Sequence, residues 1–77
     1  MIDPLTATLT FRQQEILSFV ELFFHSNGFP PSLREIGKNF RIAPSSVLDH
    51  LRALEKKGFI KRLSNKSRCL EILKKIV

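Results

Sequence analysis

Tryptophan and tyrosine are missing from this chain of 77 residues, and seven phenylalanines supply all of its aromatic content. A core built on phenylalanine is greasy and has few polar handles. Little aromatic surface is left over for stacking on unpaired bases, which argues against single-stranded RNA as a partner. The single cysteine, Cys69, excludes an internal disulfide and points to a reducing cytoplasm. On a strand it reads as a small buried hydrophobe and not as a redox switch. No apolar run approaches membrane-spanning length. Met1-Ile2-Asp3-Pro4 lacks the charged leader and apolar stretch of a signal peptide. The three glycines are far apart and make no phosphate-cradling loop. His25 and His50 share no metal-ligand spacing with each other or with Cys69. No metal, no cofactor and no enzymatic activity is therefore expected.

What is present is basic, and unevenly so. Thirteen Lys and Arg face seven Asp and Glu, for a net charge of +6. Residues 1–40 hold three of the cations and four of the acids, net −1. Residues 41–77 hold ten cations and three acids, net +7. That asymmetry fits a polyanion met by one face. The plainer reading is a solvated basic surface, and charge alone would not decide between them. At this length the chain is one small domain with a modest core.

Residues 1–9 read as a flexible leader. Thr10 opens a predicted helix, because Thr10 and Gln13 have the T-x-x-Q spacing of a capping box. Ile16, Phe19, Val20, Phe23 and Phe24 recur at helical spacing as its apolar stripe. The helix is expected to stop near Ser26, with Gly28 as a left-handed cap in preference to an Asn-Gly hairpin turn. Phe29-Pro30-Pro31 is an extended connector. Ser32 and Glu35 form a second capping box, and Leu33, Ile36 and Phe40 are the buried side of the helix that follows. Gly37 admits two readings, a close helix–helix approach or a harmless surface glycine.

Arg41-Ile42-Ala43 is the turn into a third helix. Pro44 suits its first position, while Ala43 is a poor N-cap. Val47, Leu51 and Leu54 share one face, with His50 beside them as a half-buried packing residue. Ser45, Leu48, Asp49, Arg52 and Lys56 share the opposite face. The helix should end at Gly58. Phe59 to Leu63 and Arg68 to Leu73 read as strands, joined by Ser64-Asn65-Lys66-Ser67. The predicted fold is mainly α with a small β-hairpin: a three-helix winged helix-turn-helix, in the order α-α-α-β-β, over residues 10–73, with 74–77 as a tail. Lys74 and Lys75 are a solvated end, while the apolar Leu70, Ile72, Leu73, Ile76 and Val77 hint at strand pairing with a second copy. A helix that is polar on one face and anchored by the other can enter a DNA major groove.

Leu9-Thr10-Phe11-Arg12-Gln13-Gln14-Glu15-Ile16, Gly28-Phe29-Pro30-Pro31-Ser32, Arg34-Glu35-Ile36 and His50 to Ile60 together resemble the N-terminal DNA-binding domain of LexA repressors. The resemblance covers about residues 9–73, nearly the whole chain, and is far more specific than a generic turn-helix pattern. It implies a winged helix-turn-helix and a bacterial repressor of DNA-damage genes. The family's base-contacting stretch falls on Ser45, Ser46, Leu48 and Asp49. Serine hydroxyls can donate or accept at base edges, Asp49 can accept from a cytosine amino group, and Leu48 can press on a thymine methyl. The chain departs from well-known members in a turn that is one residue shorter and in an aliphatic Leu48 where they carry an acid. Base preference is therefore not carried over. Taken singly, the serines could be ordinary first-turn residues, Asp49 could favour the helix N-terminus, and Leu48 could pack on the domain or on another protein.

Arg52, Lys56 and Lys57, with Lys61, Arg62, Lys66 and Arg68 around the hairpin, suit phosphate contacts, which position a protein without reading sequence. The resemblance adds Arg12 and Lys57 as backbone contacts. It also implies that the hairpin loop is a wing, with Asn65, Lys66, Ser67 and Arg68 able to reach phosphates or a minor groove. The Ser–Lys self-cleavage domain of typical LexA repressors has no counterpart in these residues, nor does its Ala-Gly cleavage dipeptide, so self-inactivation by that route is not expected. The expected partner is a double-stranded operator, bound in the bacterial cytoplasm at the nucleoid by a chain that is monomeric in isolation and paired on DNA. The leading alternative is a winged helix used for protein–protein assembly.

Overall fold

The computed structural model describes residues 9–62 and 70–73. Among them, three helices precede a two-stranded antiparallel sheet: α1 (Phe11–Asn27), α2 (Leu33–Phe40), α3 (Pro44–Lys56), β1 (Ile60–Arg62) and β2 (Leu70–Ile72). This is the predicted winged helix-turn-helix order.

Local chemistry sets the first two helix starts. Thr10 N–H donates to Gln13 Oε1 and Gln13 N–H donates to Thr10 Oγ1, each at 3.1 Å. The same reciprocal box closes between Ser32 and Glu35, at 2.9 and 3.1 Å. Four backbone donors that the helix geometry leaves orphaned are thereby satisfied. Ala43 gives α3 no side-chain cap, and Pro44 sits at its start as predicted.

A left-handed residue stands just past the end of each helix. Gly28 (φ 80°) closes α1 as expected. Arg41 closes α2 at φ 57°, an uncommon conformation for a residue with a β-carbon. The end of α3 is a Schellman motif: Gly58 lies at φ 85°, its N–H donates to Glu55 O, and Phe59 N–H donates to Leu54 O, both at 3.0 Å. Leu54 and Phe59, the apolar pair such a motif brings together, are both fully buried.

The core is formed by Leu9, Ile16, Leu17, Val20, Ile36, Val47, Leu51, Leu54, Phe59 and Ile60. It includes Leu9, which the sequence reading leaves in the leader 1–9; residues 1–8 lie outside the described residues. The apolar stripe of α1 needs correction. Leu17 is fully buried, Gln13 and Glu21 are buried with it, and Phe24 is 47% exposed. Phe24, His25, Ser26 and Asn27 are all exposed, so the last turn of α1 is not covered by packing partners. Phe19 packs against the core as expected, and with Phe23 it joins Phe40 and Phe29 in a chain of aromatic contacts with ring centroids 5.7 to 5.9 Å apart.

In the sheet, Ile60 pairs with Ile72, Lys61 with Glu71 and Arg62 with Leu70. Ile60 is buried, Leu70 and Ile72 pack against the core, and Lys61 and Glu71 face solvent as an opposite-charge pair. Leu73 N–H donates to Phe59 O at 2.8 Å and extends the pairing beyond the strands. Of the predicted spans, Phe59 and Leu73 flank the strands without belonging to them, and Leu63, Arg68 and Cys69 lie outside the described residues.

Candidate nucleic-acid interface

α3 presents two faces. Val47 and Leu54 are fully buried and Leu51 nearly so, which anchors the helix to the core. Ser45, Ser46, Asp49, Arg52 and Lys56 are exposed and Leu48 is half-buried. The described face is therefore polar, basic toward its C-terminal end, and interrupted by one aliphatic side chain. A helix about 20 Å long at 1.5 Å per residue can lay such a face in a major groove about 12 Å wide.

The turn before α3 fixes its placement. Ile42 N–H donates to Gly37 O at 3.0 Å. Gly37 is buried, and a β-carbon there would stand 2.6 Å from Ile42 O and 3.5 Å from Val47 Cγ2. The close-approach reading of Gly37 holds, and its neighbour is the backbone of the turn as well as α3.

Three candidate cations have partners. Arg52 Nη1 lies 3.9 Å from Asp49 Oδ1, with both side chains more than half exposed. Such a pair, in high dielectric, adds little to stability, but it places a basic and an acidic group side by side on the exposed face of α3. Arg12 Nη1 lies 3.6 Å from Glu15 Oε1, and its guanidinium sits 5.1 Å from the centre of the Phe40 ring. Lys57 Nζ donates to Gln13 Oε1 at 3.0 Å, linking the end of α3 to the start of α1. The sheet is tied to α3 separately, by Arg62 N–H donating to Glu55 Oε2 at 3.1 Å. His50 is half-buried, as expected, and His25 is exposed.

Asn65, Lys66, Ser67 and Arg68 lie outside the described residues, as does Cys69. Two residues emerge that the sequence reading did not single out for this face. Arg41 is exposed in the turn directly before α3; a basic residue between the two helices of the motif was the available signal. Gln13 carries a second role beyond its cap, and local pattern holds no sign of a bond spanning 44 residues.

The LexA DNA binding domain model matches residues 6–69. The chain belongs to the LexA DNA-binding-domain family. Among its relatives, the LexA repressor of Thermotoga maritima is 54% identical over 68 residues, 88% of this chain and 34% of that protein. The LexA repressor of Thermotoga neapolitana is 47% identical over 68 residues, again 88% of this chain and 34% of the relative. The LexA repressor of Leptospira interrogans serovar Lai is 44% identical over 66 residues, 86% of this chain and 32% of the relative. The chain thus spans about a third of the length of the curated relatives it matches. Among the described residues, no helix is long and apolar enough to cross a membrane, and no group of three or more His, Cys, Asp or Glu is placed to hold a metal ion.

Proposed function

We propose that this LexA-family domain binds double-stranded DNA sequence-specifically through α3 and serves as the operator-binding part of a transcriptional repressor of the DNA-damage type. The observation that carries this reading is the solvent-facing polar side of α3, held in place by the fully buried Val47 and Leu54 behind it. Ser45, Ser46, Leu48 and Asp49 read base edges. Arg12, Arg52, Lys56 and Lys57 engage phosphates, and Asn65, Lys66, Ser67 and Arg68 supply the wing. Repression follows from occupying an operator and excluding polymerase, which places the protein at the nucleoid of a bacterial cytoplasm.

The assembly alternative requires an apolar patch around Leu48. Among the described residues, the large hydrophobic side chains most exposed to solvent are Phe11, Leu22, Phe24, Phe29 and Leu73, none of them on α3. The neighbours of Leu48 on its face are Ser45, Asp49 and Arg52, all exposed.

Selection of binding sites from random duplex DNA tests the proposal directly. A recovered consensus with repeated half-sites is expected, and recovery of unrelated sequences counts against specific reading. If roughly five basic side chains meet phosphates, log affinity should fall with log salt at a slope of about −4 to −5. A flat dependence, or equal affinity for single and double strands, contradicts the reading.

A further inference from the structure

We propose that Gln13 is a positioning residue for duplex binding: it holds the Lys57 ammonium beside the first turn of α1, where that ammonium meets a backbone phosphate. This rests on the phosphate role of Lys57 given above and adds the side chain that aims it.

Gln13 is 8% exposed, and its Oε1 accepts two hydrogen bonds, one from Thr10 N–H at 3.1 Å and one from Lys57 Nζ at 3.0 Å. An amide oxygen has two lone pairs, so both are in use. A capping box needs only the first bond. The second makes the glutamine a strut between the start of α1 and the end of α3. A lysine stem has four rotatable carbons, and ordering it on a phosphate is entropically unfavourable. Holding the ammonium beforehand removes part of that penalty. The nature of the holder also matters. Arg12 and Arg52 lie next to carboxylates, Glu15 and Asp49, whose charge opposes an approaching phosphate. Gln13 is a neutral acceptor, so this hydrogen bond itself brings no opposing charge to Lys57. The same strut joins two of the candidate phosphate contacts mechanically, since Arg12 adjoins Gln13 on α1.

The test measures duplex affinity against salt for Gln13→Met, Lys57→Met and the double variant, each at a temperature where circular dichroism shows it folded. Gln13→Met keeps length and apolar bulk and removes the acceptor. It should weaken specific and non-specific duplexes alike by about 3- to 10-fold and make the salt slope shallower by up to about 0.9, the contribution of one phosphate. It should add nothing further in the Lys57→Met background. Thr10→Ala removes the other half of the cap but leaves the Gln13 oxygen in place, so it should lower the melting temperature and leave the salt slope unchanged. Gln13→Glu preserves both hydrogen bonds and the cap while pairing the ammonium with a charge. It provides a second variant that should fold, bind more weakly and show a shallower slope. Parent-like binding by Gln13→Met or Gln13→Glu, or an equal loss with and without Lys57, overturns the proposal alone. If Lys57→Met itself leaves binding and slope untouched, the phosphate role of Lys57 falls and the proposal falls with it.

Discussion

Gly37 and Ile42 are locked together twice: Ile42 N–H donates to Gly37 O at 3.0 Å, and a β-carbon on Gly37 would stand only 2.6 Å from Ile42 O. The obstructing atom is backbone, so it cannot swing aside as a flexible side chain would. Gly37→Ala must push the turn away from α2, and the turn carries α3 with it. A destabilisation of about 1–3 kcal/mol is expected, the usual range for overpacking a tight site. Urea denaturation should show it as a lower midpoint with an unchanged slope. Specific duplex binding should weaken further than stability accounts for, because the angle at which α3 is presented changes. An alanine variant as stable as the parent would contradict this account of the turn.

The left-handed Arg41 next to it offers the opposite experiment. A non-glycine residue in that conformation costs roughly 1–2 kcal/mol, part of which a glycine loses again through its freer unfolded chain. Arg41→Gly should therefore stabilise the domain by about 0.5–1 kcal/mol. The same change removes an exposed cation directly before α3. Raised thermal stability should accompany a shallower salt dependence of duplex binding. If the variant is more stable and its salt slope is unchanged, Arg41 takes no part in phosphate contact.

What could be read from the sequence was local. Thr10 with Gln13, Ser32 with Glu35, and the glycines at 28 and 58 declare their roles within a few residues, because caps are satisfied by near neighbours. The opposition of Val47, Leu51 and Leu54 to Ser45, Asp49 and Arg52 follows from helical period alone. Phe24 was misplaced because periodicity carries no information about where the packing partners of α1 end. Leu17 and Glu21 went unnoticed for the same reason, since the face turned inward is chosen by α2 and α3. Gly37 had two readings until the Ile42 carbonyl was seen beside it. At the candidate interface, exposure of the α3 face was legible, and the carboxylates beside Arg12 and Arg52 lie only three residues away, but the Lys57–Gln13 bond and the Arg12–Phe40 contact join residues far apart in sequence.

Asp49 and Arg52 illustrate how readers and positioners separate. Asp49 is exposed on the solvent-facing side of α3, 3.9 Å from Arg52. Against a polyanion its charge is unfavourable unless a base donor rewards it. Asp49→Ala should accordingly raise affinity for non-specific duplex and reduce discrimination at one or two base pairs by ~1–3 kcal/mol. Ser46→Ala should lose discrimination without the non-specific gain. Lys56→Ala should weaken all sequences nearly uniformly and reduce the salt slope by about one. Binding-site selection repeated with each variant would show this. Altered specificity in Lys56→Ala, with none in the helix-face variants, would mean that α3 docks differently.

Assembly is the remaining expectation. One recognition helix reads a short site, too little for selectivity in a genome, so two copies should act together on one operator. Off DNA, the described surface gives weak grounds for pairing. β1 and β2 are each three residues long, and Leu70 and Ile72 are turned toward the core. So short an edge is a poor template for strand addition. One apolar feature among the described residues is an open groove lined by Phe11, Phe19, Leu22 and Phe40 together with Gln14, Glu15 and Ser18. A monomer is therefore expected in dilute solution, with two copies bound to inverted half-sites about one helical turn apart, ~34 Å or a multiple of it, so that both α3 helices face the same side of the duplex. Analytical ultracentrifugation with and without a two-site duplex decides this. Inserting about five base pairs between half-sites should separate the two binding events, because the second helix would then face the opposite side. A stable dimer in the absence of DNA, abolished by Leu22→Glu or by trimming Ile76 and Val77, would overturn the monomer and identify the surface responsible.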